Sequence, residues 1–452
     1  MVKSVLNKKG NSLLGRSILY GLPRMSTSIV IGFADFALFS LYKLAYIDSA
    51  FLIGIALALG KITIAISQFL FGWISDVKYT KWGRRKPFLI LLSPLLSFSF
   101  FFLLLPNLVI DINSQNSTFI WLLVWNILFN ISYGITTPYG SWMAEQFTSD
   151  ERPFASQYNN IFALIGSACM SIFSFIILTD TVKKIKIEPT LIPSDFLFAV
   201  IIFSILPTQL FLIAAIVIPT EPHFKIRSNM IENLKVIVKN KNFILVTLMQ
   251  GIASIAFIMI GQTVLQYTEI VLKFEDTDYY IVAGLMVIGI LGFIFLWRKR
   301  IQKIGKKKSL LYIFLVGILF LPTTLFGAIR METYFIFGIL FILGIAACMG
   351  GWFLLPSIIF ADIAEDDEKI TGELKAGIYT GFPSIILNLF QAFGLFVIGI
   401  LLDLPKLGLD YSVGYVIWGP IGSLVLIFAY LYSRKFIKID FDWEELEKIE
   451  RL

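Results

Sequence analysis

The sequence predicts an all-α polytopic membrane protein, with twelve transmembrane helices in two six-helix bundles and both termini cytoplasmic. Three observations carry that expectation. First, 57% of the 452 residues are hydrophobic and only 15% are charged, with a mean hydropathy of +0.81. A soluble domain is nearer a quarter charged, and a soluble fold of this composition would leave a large apolar area in water. Second, apolar runs long enough to cross a bilayer recur twelve times. Third, lysine and arginine concentrate in alternate connectors.

A bilayer core needs roughly 20 apolar residues per helix. The first such run, at about 16–42, follows Lys3, Lys8, Lys9 and Arg16 without a small-residue cleavage site, so it reads as a retained helix. Five more runs at about 49–74, 88–106, 119–143, 155–179 and 195–219 complete the first half. The second half has runs at about 242–268, 278–297, 309–329, 333–359, 375–401 and 412–432. Short polar connectors join them as helical hairpins. The longest connector is cytoplasmic, spans 221–241 and contains His223 and five basic residues. The expected domains are therefore bundles at 1–220 and 242–432, the linker 221–241 between them, and a cytoplasmic tail at 433–452. From Asp440 to Leu452 that tail is acidic with apolar spacing, the pattern of a short surface helix.

With a cytoplasmic N-terminus, 29 lysines and arginines fall in cytoplasmic segments and seven in the opposite ones. Such a bias orients the chain. The formal net charge of +7 is thus topogenic, and no aromatic-interleaved basic patch points to nucleic acid. Thirty-two Gly, 16 Pro and two Cys exclude collagen-like, disordered and disulfide-scaffold classes. His223, Cys169 and Cys348 cannot by themselves supply a four-ligand zinc site, nor a histidine-based nucleophilic set. No glycine-rich nucleotide cradle occurs, so neither an enzyme, a cofactor nor an ATP-driven pump is expected. Asn116-Ser117-Thr118 forms a sequon in the expected external 3–4 loop, a pattern common by chance.

The halves repeat. Gly83-Arg84-Arg85-Lys86 in the 2–3 loop is echoed 222 positions later by Gly305-Lys306-Lys307-Lys308, and Pro138–Glu145 by Pro356–Asp362. Parallel six-plus-six duplication marks transporters with a site between two bundles. At the first of these loops Gly72, Asp76, Gly83, Arg84 and Arg85 keep a fixed spacing, with Glu145 and Asp362 ending spans four and ten. Topology alone needs cations but no glycine or aspartate at set positions, so these seven are read as gating residues. Asp76 can favour a facing helix N-terminus or pair with Arg84 or Arg85.

Gly72-x-x-x-Asp76 with Gly83–Lys86 resembles the 2–3 loop signature of the major facilitator superfamily. The string Lys81-Trp82-Gly83-Arg84-Arg85-Lys86-Pro87-Phe88 resembles its glycoside–pentoside–hexuronide:cation symporter branch, which includes melibiose carriers and, more distantly, plant sucrose carriers. Ala361-Asp362, Asp366–Lys369, Thr371-Gly372-Glu373 and Gly377-Ile378-Tyr379 agree with it. The resemblance implies a carrier moving a sugar or glycoside with a cation. It also implies coupling carboxylates in spans two and four and a lysine in span eleven. By register those positions are Ile64, Gln68, Thr136 and Asn388, all uncharged. Sodium coupling is accordingly doubtful, since hard cations need clustered oxygen ligands. Uncoupled facilitation, proton coupling through Asp35 and a displaced ion site remain open.

Ionisable groups deep in a membrane are functional candidates. Lys61 falls near the middle of span two. Asp35 sits in span one about six residues toward the outside from its middle, roughly 9 Å higher at 1.5 Å per residue. A lysine stem bridges that height, so Asp35–Lys61 is the expected coupling pair, with Arg24 the rival partner. Candidate substrate contacts are Trp125, Asn126, Asn130 and Tyr133 on span four and Asn159 and Asn160 on span five. Gln262 and Gln266 on span seven, Trp352 on span ten, and Asn388 and Gln391 on span eleven complete the set. Aromatic faces and amides suit the CH faces and hydroxyls of a neutral sugar or glycoside. Each could equally serve interhelical bonding or an aromatic belt. Two rivals stand beside a sugar carrier working as a monomer in the cell membrane: a carrier of an amphiphile such as a lysolipid, and a non-transporting sensor.

Overall fold

The computed structural model describes residues 13–148, 151–188, 191–220, 238–274, 276–329, 331, 333–371 and 376–439. Most of the 221–241 linker, with His223, and the 440–452 end of the tail lie outside the described residues. Helix α1 runs Leu13–Phe36 and, after a 46° bend, Leu38–Ala45. It is followed by α2 (Ala50–Val77), α3 (Lys86–Leu104), and α4 (Gln115–Tyr133, continued by Thr136–Gln146). Helix α5 runs Arg152–Ile172, widens into a π turn at Phe173–Leu178 and continues as Thr179–Ile187; α6 is Ser194–Val217. In the second half α7 is Lys241–Gln266 with a π turn at Tyr267–Val271, and α8 is Asp276–Ile304. Helix α9 is Lys306–Phe320 with a 3-10 extension Leu321–Ala328. The last three are α10 (Phe335–Thr371), α11 (Ala376–Leu402) and α12 (Gly414–Phe436). With bent α1 counted as one span, twelve of these described helices are long and apolar enough to cross a bilayer.

Local chemistry sets the starts. Ser49, Ser114 and Asn240 accept the backbone N–H groups of Leu52, Ser117 and Phe243 as N-caps of α2, α4 and α7. Pro87 and Pro153 occupy first-turn positions of α3 and α5, where a missing N–H matters least. Several helices outrun their apolar stretch: α8 reaches Ile304 and α10 reaches Thr371, beyond the expected limits at 297 and 359. Backbone hydrogen bonding continues where the demand for apolar side chains stops. The bend in α1 has no proline or glycine at its Phe36–Leu38 joint, so the sequence offered no signal for it.

The halves pack by one scheme. Helix α1 lies on α5, α2 on α4 and α3 on α6; in the second half α7 lies on α11, α8 on α10 and α9 on α12. Each pairing recurs six helices later, which is the duplication seen in the sequence. The halves meet where α2 packs on α11, α1 on α7 and α5 on α8. We call the end of the molecule bearing Gly83–Lys86 and Gly305–Lys308 the basic face.

Candidate functional site

At the basic face Gly83 and Gly305 both adopt left-handed backbone, with φ of 93° and 85°, a conformation open to glycine without a Cβ penalty. Each sits just ahead of a helix, α3 or α9, turning the chain so that the following cations meet acids on the next helix, α4 or α10. Glu145 accepts Arg84 Nη2 at 2.9 Å and Arg85 Nε at 3.0 Å; Arg85 also pairs with Asp76 and bonds Ser75. Both arginines are 5% exposed or less, so their charges are matched inside the protein. In the second half Lys306 Nζ meets Asp362 Oδ2 at 2.6 Å, the same junction built from one cation and one acid. Gly72 lets α2 approach Thr137: a Cβ there would lie 2.8 Å from the threonine methyl. The seven residues expected at the gate are thus brought to two equivalent clusters.

Midway along the helices Lys61 Nζ lies 2.5 Å from Asp35 Oδ1, with Lys61 buried and Asp35 half-buried. Arg24 does not compete. It lies beside the Tyr133 hydroxyl, and among the described residues no carboxylate is within ion-pair reach of it. Next to the pair, Gln262 Nε2 donates to Ala34 O at 2.9 Å and Gly261 faces Asp35 O, joining α7 to α1 just before the bend.

The amides divide. Asn126 donates to Ala56 O at 2.8 Å, Asn130 donates to Asn126, and both abut Gly60. They bind α4 to α2 rather than presenting donors to a solute. Gln266 is likewise spent, donating to Gln262 O and accepting from Tyr415. Asn388 donates to Ser384 O in its own helix, and Asn159 accepts from Tyr139. Asn160 is exposed and Gln391 half-buried. Trp125 stacks on Phe102 at 4.6 Å within a cluster that includes Trp121, because one residue from Asn126 is a turn of about 100° around a helix. Trp352 stacks on Phe257 at 4.3 Å between α10 and α7. What these uses leave over is specific. The Oε1 atoms of Gln68, Gln250 and Gln262 are buried and accept nothing among the described residues. Gln68 Nε2 meanwhile donates to Thr136 Oγ1 at 3.1 Å, linking two of the positions where the resemblance expected charge.

The face opposite the basic one holds a junction that the sequence reading missed. Asp403, just past α11, accepts Ala50 N and Phe51 N, each at 2.8 Å, and Ser49 Oγ at 2.8 Å, with Lys43 Nζ at 3.3 Å. Burial opposes its charge, but those hydrogen bonds and the Lys43 ammonium outweigh it and hold the carboxyl below its ordinary pKa. The available signal was an acid directly following an apolar span. A separate cavity of about 650 Å³ lies on this face among connectors of the second half, bordered by Tyr334 and Tyr411 and crossed by a 3.7 Å Lys273–Asp410 pair. It contains none of the expected site residues.

A family model described as MFS/sugar transport protein matches residues 19–415. No curated protein sequence matches. Among solved structures, a D-xylose-proton symporter superposes with a TM-score of 0.66 at 13% identity, covering 94% of this chain and 97% of that one. The inward-open xylose transporter XylE from E. coli gives 0.66 at 16% identity over 97% and 100% of the two chains. The nucleoside transporter NupG gives 0.59 at 15% identity over 93% and 99%. Those identities speak for the fold. The family match, spanning all but the ends of a chain with twelve apolar helices, places this integral multi-pass membrane protein in the MFS sugar-transport family.

Proposed function

We propose that the protein carries a neutral sugar or glycoside by alternating access, as a monomer in the cell membrane with its basic face and both termini in the cytoplasm. The observation that carries the substrate class is the set of three glutamine carbonyls, on Gln68, Gln250 and Gln262, that are buried without donors. They come from α2 in one half and α7 in the other; Gln250 and Gln262 stand about 18 Å apart along α7, so they offer acceptors at successive levels of a path between the halves. A buried acceptor left unpaired is costly, and a polyhydroxylated solute is a neutral source of donors. Tyr133 and the half-buried Gln391 are further candidate contacts, and Gly72, Asp76, Gly83, Arg84, Arg85, Glu145 and Asp362 form the gate at the basic face.

Asp35 is the group suited to proton coupling, being a half-buried carboxylate balanced by one buried lysine. Protonating it would release Lys61 and alter the α1 segment that Gln262 clamps. Sodium is disfavoured because Gln68 and Thr136 bring no charge. The experiment is flux through purified protein in liposomes, using a panel of neutral sugars and glycosides with and without imposed proton and sodium gradients. Saturable sugar flux, lowered by Gln262→Leu, is the expected result. Lipid flux blind to competing sugars would replace this reading with the amphiphile carrier. Binding without flux would indicate a sensor.

A further inference from the structure

Four groups bond Asp403, and all belong to the other half of the molecule: Lys43 Nζ, Ser49 Oγ, Ala50 N and Phe51 N. Two are the leading N–H groups of α2, where a helix carries its partial positive charge. Ser49 serves twice, as the cap of Leu52 N and as a donor to Asp403. Directly below, Gly54 and Gly399 bring the α2 and α11 backbones into contact: a Cβ on Gly54 would stand 2.7 Å from Leu395 O and 3.0 Å from Gly399 Cα. Phe51 and Phe396 close the edge with ring centroids 5.8 Å apart. Lys43 is itself tied to the backbone carbonyl of Asp48, which holds its ammonium toward the carboxylate.

We propose that Asp403 is a positioning residue of the transport cycle, latching α2 to α11 and so closing the face opposite the basic one. Every bond it makes must break for the halves to part there. Each broken partner then lies at an aqueous boundary where water can replace the carboxylate, so the latch is reversible, unlike a buried pair. The placement mirrors Asp76. Asp76 ends α2 at the basic face and Asp403 follows the end of α11 at the other, so each helix of the pair carries an acid toward its partner's N-terminal end. The inference extends the alternating-access reading by naming what holds one of its two states.

The test reads access through that face. Ala392 is buried on α11, seven residues and two turns below Gly399, so it shares the side that meets α2. In full-length protein carrying Ala392→Cys, a membrane-impermeant maleimide is applied from the face opposite the basic one. Adding Asp403→Ala should speed labelling about fivefold or more, through a shift toward the open state. Asp403→Glu should stay within about twofold of the parent, and Lys406→Ala, a neighbouring cation without these bonds, should leave it unchanged. Equal labelling of the Asp403→Ala and parent proteins, both monodisperse, overturns the latch. If Asp403→Ala does not reach the membrane folded, Ser49→Ala and Lys43→Ala each remove one bond and are judged by the same rates. Labelling that follows Asp403 while no sugar is carried keeps the latch and rejects the substrate reading.

Discussion

Gln68 donates to Thr136 at 3.1 Å across α2 and α4, so two positions where the resembled symporters carry coupling charge are joined here as a neutral pair. A hard cation gathers anionic oxygens, and neither side chain brings a charge. Replacing sodium by choline on both sides of proteoliposomes should therefore leave sugar flux unchanged within about twofold. Accumulation that requires a sodium gradient would show that the ion site has moved elsewhere.

Lys61 is buried, and among the described residues its one carboxylate partner is Asp35. Breaking a buried ion pair by removing one member costs about 3–5 kcal/mol, and the half-exposed Asp35 moves this pair to the low end. Lys61→Ala should lower the melting temperature in detergent clearly, while Lys186→Ala at the exposed end of α5 should not. Lys61→Ala combined with Asp35→Asn should recover part of the loss, since no lone charge remains. Equal melting of the two single variants would remove the pair from any account of stability.

Glu145 is a shared acid for two buried arginines. Glu145→Gln removes the carboxylate that Arg84 and Arg85 share, while Arg85 keeps its contacts with Asp76 and Ser75. A loss of about 2–4 kcal/mol is expected, read as denaturant resistance in detergent, together with slowed transport. Arg84→Lys keeps the charge but narrows the donor fork, and should fall between the two. Melting of Glu145→Gln at the parent temperature would mean that the cluster is solvated rather than matched.

The Asp403 carboxyl is held below its ordinary pKa in the latched state, chiefly against the opposing effect of burial. Such a group stabilises the latched state at pH values above the pKa of the free side chain. The contribution is lost as pH falls through the lowered value. Expressed relative to an exposed-cysteine control labelled at the same pH, which removes the acid loss of thiolate, labelling at Ala392→Cys should therefore not rise from pH 7 to about 5, while it should rise below about 4. In Asp403→Asn the acid response should vanish. A response centred near pH 6 would assign proton control of this face to another group.

The twelve spans, the two charged loops and their repetition were legible because bilayer thickness and charge bias act on composition, and composition is what a sequence displays. The Asp35–Lys61 contact followed from helix rise and the reach of a lysine stem, with the rival Arg24 set aside only by the structure. The destinations of the amides did not: a wheel projection assigns Asn126 and Asn130 a side of α4, but whether they meet water or Ala56 O depends on how near Gly60 allows α2 to come. Trp125 and Trp352 were drawn to flat neighbours, Phe102 and Phe257, that lie on other helices. Asp403 was hidden for a related reason. Two of its four partners are backbone N–H groups, which every sequence position but proline possesses and none advertises.

The π turns at Phe173–Leu178 and Tyr267–Val271 act on the phase of α5 and α7. A wide turn carries an additional residue, so side chains beyond it are rotated by about 100° from where a continuous α-helix would put them. Lys183 stands past the first of them, and its ammonium lies 5.4 Å from the Tyr279 ring on α8, whose hydroxyl donates to Glu269 inside the second. Excising one residue from either turn would restore ordinary winding and swing that half of the contact out of alignment. The two helices are timed to each other like meshed gears cut with one extra tooth.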